Sequence, residues 1–348
     1  MNKNNIIILG NGFDLAFGYR TSYSDFATIG FGQDCSELLG TDFWPFNGTP
    51  KQEFQDGCLY SHLKQYKESK IRSDGSLGWI DLETELLNYA ISRKGKHNSE
   101  SLIEYDKVCF EWLRNNLWYF IKRMVPRERK SGFKIQPAAI ALLKAIKDNG
   151  TFGKIINFNY SNPQYTLEQF CSFKGNEIPT IEYIHGKTHG MSPNEDNIIV
   201  GINETNEVPK EYRFLYKSIQ VAPHNFTIDL LNAEIIVIYG LAMGVIDNEY
   251  FETFFTQTLS QELTGNKKQM IFVTKDNRSA QSIKDNIIDM GFKWRKLTEL
   301  IEIHFIVMDN LSDNLSNESL VNIMAILAPK NKQNPYIGTA SIERDFDY

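Results

Sequence analysis

Short aliphatic runs alternate along this chain with longer segments that carry a helical repeat. The first run, Ile6 to Leu9, is four consecutive large aliphatics. A strand buried on both faces of a parallel sheet has this pattern, because neither face meets water. A tight turn of Gly10, Asn11 and Gly12 follows, and Asp14 opens a helix. Comparable runs predict strands over 154–160, 181–186, 197–202, 234–240, 269–274 and 302–309. Helical spacing fills the gaps between them, over 162–173, 208–232, 247–259, 279–292 and 317–327.

Between the first turn and residue 151 the pattern is different. Ser22 or Ser24 is placed to cap a short helix, and residues 31–60 then show no period. That segment is rich in Gly, Asp, Phe and Trp, with Phe43, Trp44, Phe46 and Phe54 as packing aromatics. A long aperiodic segment in a compact domain is often functional, for example a lid. From Trp79 the spacing becomes helical, with Ile80, Leu82, Leu86, Leu87 and Ala90 on one face. Asp81, Glu83 and Glu85 fall in its first turns, where carboxylates favour the helix dipole. Residues 101–125 are apolar nearly all round, which predicts a helix buried between others. Another helix runs from Pro137 to Lys147.

Strands alternating with helices imply an α/β fold with a doubly wound, mostly parallel, Rossmann-like sheet. The helical stretch of 60–150 interrupts that rhythm. The expected plan is a nucleotide-binding α/β unit of residues 1–30 and 151–330, a mainly helical insertion of 31–150, and a polar tail of 331–348.

Ligands of such sheets bind beyond the carboxyl ends of the strands. That rule gathers Gly10–Asp14, Asn157–Asn162, His185–Gly186 and Gly240–Asp247 into one neighbourhood. His185 ends a strand and is followed by Gly186, so it can project into the crevice; the plainer reading is a histidine held by backbone bonds. Asn159 both donates and accepts, which suits a ribose hydroxyl or a water. Asn162 suits a helix cap, as does Asp247, while Gly240 and Gly244 allow close backbone approach. His189 and His224 are weaker candidates, and His304 lies within a strand.

Composition narrows the partners. The chain has 348 residues, 42% hydrophobic, and a net charge of -6, which argues against a broad nucleic-acid surface. No stretch reaches eighteen apolar residues, so no membrane span is expected. The Ile6 to Leu9 run is too short for a secretory core, and a cytoplasmic location follows. Cys35, Cys58, Cys109 and Cys171 are scattered without Cys-x-x-Cys spacing, so a structural zinc is not expected.

The opening LGNGFDLAFGYRTSYSDF resembles the start of the AbiH family, bacterial proteins linked to abortive infection by phage. The resemblance continues in order through WIDLETEL, FNYSNPQY, YIHG and YGLAMGVIDNEYF, covering residues 6–255. Four of these motifs are also similar to a remote sirtuin-type, nicotinamide-dinucleotide-binding fold. The correspondence falls on Gly10–Asp14, Asn159, His185–Gly186 and Gly240–Ala242. It implies Asn159 and His185 as a catalytic pair. It also implies a nucleotide held by Gly10, Asn11, Gly12, Phe13, Asp14, Gly186, Gly240, Leu241 and Asp247. Asp14 departs from the small neutral residue of phosphate-binding turns, and Leu241-Ala242 lacks a hydroxyl for the adenosine ribose. The missing zinc spacing argues against protein deacylation.

The resulting expectation is a cytoplasmic anti-phage effector that hydrolyses nicotinamide adenine dinucleotide (NAD). It needs no resident metal, is switched on by a phage-derived trigger, and can form a homo-oligomer. Two alternatives stay open. One is a metal-dependent nucleotide or nucleic-acid hydrolase using Asp14, Asp81, Glu83 and Asp247. The other is a non-catalytic nucleotide sensor, with residues 31–60 and the 101–125 helix as its partner surface.

Overall fold

The computed structural model describes residues 4–29, 57–78, 80–127, 135–188, 190, 197–220, 226–244, 247–260, 267–310, 325 and 327. Among them, six strands form a single sheet: β1 (Asn5–Leu9), β2 (Phe152–Asn157), β3 (Thr180–Tyr183), β4 (Ile235–Tyr239), β5 (Lys268–Thr274) and β6 (Ile301–Val307). Their order is β3-β2-β1-β4-β5-β6. Every neighbouring pair is parallel. This is the doubly wound, Rossmann-like arrangement that the alternating pattern predicts. The order reverses between β1 and β4, which makes the crevice above those two strands the topological switch point.

Strands β1 and β4 are buried along their whole length, as their unbroken aliphatic runs require. Successive side chains point to opposite faces. Ile7, Leu9, Ile155 and Val237 pack under the helix Pro137–Asn149 through Ala139, Leu142, Leu143 and Ile146. Ile6, Ile8, Ile236 and Ile238 pack on the other side with Phe251, Phe254 and Phe255 of the helix Asn248–Ser260.

A third core lies in the helical insertion. The helices Leu59–Ser69, Leu82–Ser92 and Glu100–Arg127 meet through Leu63, Leu86, Leu113 and Leu117. The long helix is not covered all round, contrary to the expectation for 101–125. Val108 and Trp112, one turn apart, are each nearly half exposed.

Several boundaries also differ from those expected. The predicted strand at 197–202 is instead an extended strap. Ile198, Val200 and Ile202 keep a period of two, but they insert into the helical core rather than join the sheet. Gly201 (φ 150°) brings the strap so close to Leu215 that a Cβ there would lie 2.1 Å from that residue's carbonyl oxygen. The helix expected over 208–232 breaks up: a 3₁₀ turn (Lys210–Leu215), then short helices Lys217–Gln220 and Thr227–Asn232. Tyr216 is extended (ψ 134°), which ends the first turn. Strands β2 and β3 stop at Asn157 and Tyr183, three residues short of their predicted ends. The first helix spans Asn11–Ala16, so Asp14 lies in its first turn instead of opening it. A helix at Trp294–Leu300 was not expected at all. The aromatic segment 31–56, most of 317–327 and the 331–348 tail fall outside the described residues. Among the described residues, no helix is long and apolar enough to cross a membrane.

Candidate functional site

At the carboxyl ends of β1 and β4 two turns lie backbone to backbone. The N–H of Gly10 donates to Tyr239 O (2.9 Å), and that of Gly12 to Gly240 O (2.9 Å). A Cβ on Gly12 would lie 2.6 Å from Gly240 Cα, and one on Gly10 2.6 Å from Gly240 O. Gly240 has φ 67°, and its own Cβ would meet Gly12 and Phe13 backbone at 2.5 Å. No side chain fits at any of the three positions. Phe13 N–H donates to Gly10 O (2.9 Å), so the amides of Gly10, Gly12 and Phe13 all have protein acceptors. The turn is tied to β4 rather than left open as a three-amide cradle. Asn11 is half-buried, and its Oδ1 accepts from Thr21 Oγ1 (2.8 Å). Phe13 is core, edge-on to Tyr239 with ring centroids 5.5 Å apart. Leu241 packs into the core cluster on the opposite face of the sheet.

Asp14 is buried beneath the turn. It is 1% exposed, and its Oδ1 accepts from Ser161 Oγ (2.8 Å), while Oδ2 is buried without a hydrogen-bond partner. Burial pushes the carboxyl up to about 7, opposed by the Ser161 and Thr21 hydroxyls. The Asp14 side chain points into the protein, towards Ser161, and not out of the turn.

Beyond β2 the chain folds back on itself. Asn159 Nδ2 donates to Gly10 O (2.9 Å), which ties the exit of β2 to the exit of β1. Asn162 accepts from Gln164 N–H (3.0 Å) and so caps the helix Pro163–Cys171. Beyond β3, His185 is 8% exposed and its carbonyl accepts Ile199 N–H (2.9 Å) from the strap. Its ring is edge-on to Phe158 (5.5 Å) and lies 6.2 Å from both Tyr160 and Tyr250. Tyr160 donates to Ile199 O (3.1 Å), and its oxygen is 3.3 Å from the Tyr23 hydroxyl. Gly186 (φ 80°) allows the approach of Asn197, whose carbonyl oxygen would be 1.7 Å from a Cβ there.

Of the other carboxylates in the metal alternative, Asp81 caps a helix, while Glu83 and Asp247 both lie within the influence of Lys217. Asp81 caps the helix Leu82–Ser92 by accepting from Thr84 N–H (3.1 Å). Glu83 is buried, accepts from Lys217 Nζ (3.2 Å) and receives Gly201 N–H (3.4 Å). Burial raises the Glu83 carboxyl and Lys217 pulls it back. Asp247 is pushed up to about 7, mainly by burial, with Lys217 opposing and Glu83 reinforcing. Among the described residues, no three His, Cys, Asp or Glu side chains are grouped to hold a metal ion. His304 is 3.1 Å from Glu302 on β6, at the far edge of the sheet, while His189 and His224 lie outside the described residues. Cys58, Cys109 and Cys171 are buried free thiols.

Topology thus brings Gly10, Asn159, His185 and Gly240 to one crest, and leaves Phe13, Asp14 and Leu241 beneath it. Sequence reading missed Ser161, Lys217, Tyr160 and Tyr250. Ser161 stands in the same NFNYSN run as Asn159, a signal within reach. Lys217 had none, since a lone lysine gives no hint of a buried partner 134 positions away.

The model described as bacteriophage abortive infection AbiH matches residues 6–272. The chain belongs to the AbiH family. The matched span holds the whole crest, from β1 through most of β5, and supports a role in phage abortive infection. No curated protein matches the chain.

Proposed function

We propose that this AbiH protein is an abortive-infection effector that hydrolyses NAD at the nicotinamide glycosidic bond. One observation carries the reading: adjacent parallel strands deliver Asn159 and His185 to the same crest, beside the switch point, with the Asn159 amide fixed on Gly10 O at 2.9 Å. A crevice of this kind takes nucleotides in doubly wound sheets. The aromatic wall of Phe158, Tyr160 and Tyr250 gives His185 a low-dielectric setting.

In the reaction a water oxygen bonds to the ribose anomeric carbon while the carbon–nitrogen bond breaks. The bonding pair passes to the pyridinium nitrogen, which leaves neutral, so no general acid is required. The paired carboxylates of ordinary glycosidases are not needed either. Asn159 orients the water or a ribose hydroxyl, and His185 takes up the released proton. Because the turn amides of Gly10, Gly12 and Phe13 are already bonded, they do not offer the pyrophosphate a three-amide cradle. Uncontrolled loss of NAD would kill the host, so the resting enzyme is silent and a phage-derived trigger releases it.

The test measures nicotinamide release by purified protein, with and without lysate of phage-infected cells, alongside cellular NAD during infection. His185→Ala is expected to fold normally and lose roughly 10²–10⁴ in rate. Unchanged NAD in infected, phage-resistant wild-type cells would overturn the reading. Turnover abolished by a chelator and restored by magnesium would favour the metal-dependent hydrolase instead.

A further inference from the structure

Asn159 does not hold its place alone. Its backbone N–H donates to Asn157 Oδ1 (3.2 Å), and its carbonyl accepts from Asn157 Nδ2 (2.9 Å). The same Nδ2 donates to Ser161 O (3.0 Å), and Ser161 Oγ donates to Asp14 Oδ1 (2.8 Å). Asp14 belongs to the helix whose N-cap is Gly10. Gly10 O in turn receives the Asn159 side-chain amide (2.9 Å). These bonds close a ring around the loop Phe158–Ser161 and bind it to the first helix.

We propose that Asp14 and Ser161 are positioning residues that fix the Asn159 amide for the chemistry at the crest. With its Nδ2 held on Gly10 O, Asn159 turns its Oδ1 the other way, as an acceptor for a ribose hydroxyl or water. Asn157 cannot perform this alone. It grips the Asn159 backbone, while the register of the loop against the first helix comes from the Ser161–Asp14 bond. The choice of an acid at position 14 fits this role. One carboxyl oxygen accepts from Ser161, and burial lifts the group well above the usual carboxylate range. The buried, partnerless Oδ2 is the cost of keeping a carboxyl there. The catalytic half of this proposal rests on the reading of Asn159 above; the ring itself does not.

The experiment therefore has two readouts. Protein labelled with ¹⁵N-asparagine reports the Asn159 side-chain amide, assigned by its loss in Asn159→Asp. Asp14→Ala and Ser161→Ala should each shift that signal, and Asp14→Asn, which keeps an acceptor for Ser161, should restore it. With NAD as substrate, both alanine variants should lose about ten- to a hundredfold in kcat with KM changed less than about twofold. Asp14→Asn should recover most of that loss, whereas a merely structural role would move stability and leave kcat alone. An unmoved amide signal in both alanine variants overturns the ring. A moved signal with full kcat overturns the positioning role. A moved signal in a protein that releases no nicotinamide upholds the ring and removes the substrate reading instead.

Discussion

Two buried carboxyls, Asp106 in the helical insertion and Asp14 at the sheet crest, are treated in opposite ways. Asp106 is 0% exposed and accepts three hydrogen bonds, from Leu59 N–H (2.7 Å) and from the hydroxyls of Tyr89 and Tyr212. It links the helices Leu59–Ser69, Leu82–Ser92 and Glu100–Arg127 to the 3₁₀ turn at Lys210–Leu215. Asp14 is as deeply buried, yet one of its oxygens has no partner. Both are raised by desolvation. A saturated polar group in an interior rigidifies it, whereas an unsaturated one costs stability. The contrast sets a carboxyl that joins four segments against one that is only half satisfied.

The largest effect should fall on the saturated carboxyl. Asp106→Ala strands the Leu59 N–H and the Tyr212 hydroxyl, each at roughly 1–3 kcal/mol, while the Tyr89 hydroxyl keeps Gly57 O at 3.1 Å, so a loss of about 4 kcal/mol is expected in urea unfolding. Asp14→Ala strands only the Ser161 hydroxyl and should cost roughly 1 kcal/mol. Equal losses at the two positions would mean that the number of partners does not set what each carboxyl contributes.

This contrast also marks how far the sequence could be read. The parallel sheet was legible because β1 and β4 carry aliphatic runs that only two-sided burial explains. Asn159 and His185 were legible because polar residues directly after such runs must lie at a crest. The strap at 197–202 was misread because Ile198, Val200 and Ile202 have a strand's period, and periodicity does not say whether the partner is a sheet or a helical core. The burial of Asp14 was not legible, because its position lies in the turn and only the register of the first helix shows that its side chain points inward. The Glu83–Lys217 pair and the Asp106 cluster were out of reach, since each depends on contacts between distant segments.

Stability against pH distinguishes the half-satisfied carboxyl in another way. The Asp14 carboxyl rises from 3.8 to about 7 on folding, so the folded state binds its proton more tightly than the unfolded chain. Its contribution is complete below pH 4 and is lost as pH climbs towards 7, at up to about 1.4 kcal/mol per pH unit. Asp247 has the same direction and adds its own decline. In Asp14→Asn one of these slopes disappears. The gap between variant and wild type should therefore change across pH 4 to 7 and level off above it. A constant gap would mean that Asp14 is charged in the native state and that the buried oxygen is better solvated than its surroundings allow.

The smallest effect concerns Asp81, which belongs with the saturated groups although the sequence also offered it as a metal ligand. Its side chain accepts from both the Thr84 N–H (3.1 Å) and the Thr84 hydroxyl (2.9 Å), the pattern of an N-cap. Loss of such a cap costs about 1 kcal/mol, and a residue that caps equally well restores it. Asp81→Ala should thus lower the melting temperature by a few degrees with activity per folded molecule unchanged, and Asp81→Asn should match wild type in both respects. A ligand behaves differently: asparagine would keep the cap but weaken metal binding, and activity would fall while stability held. Measuring melting temperature and turnover on the same two variants separates a residue that starts a helix from one that serves a site.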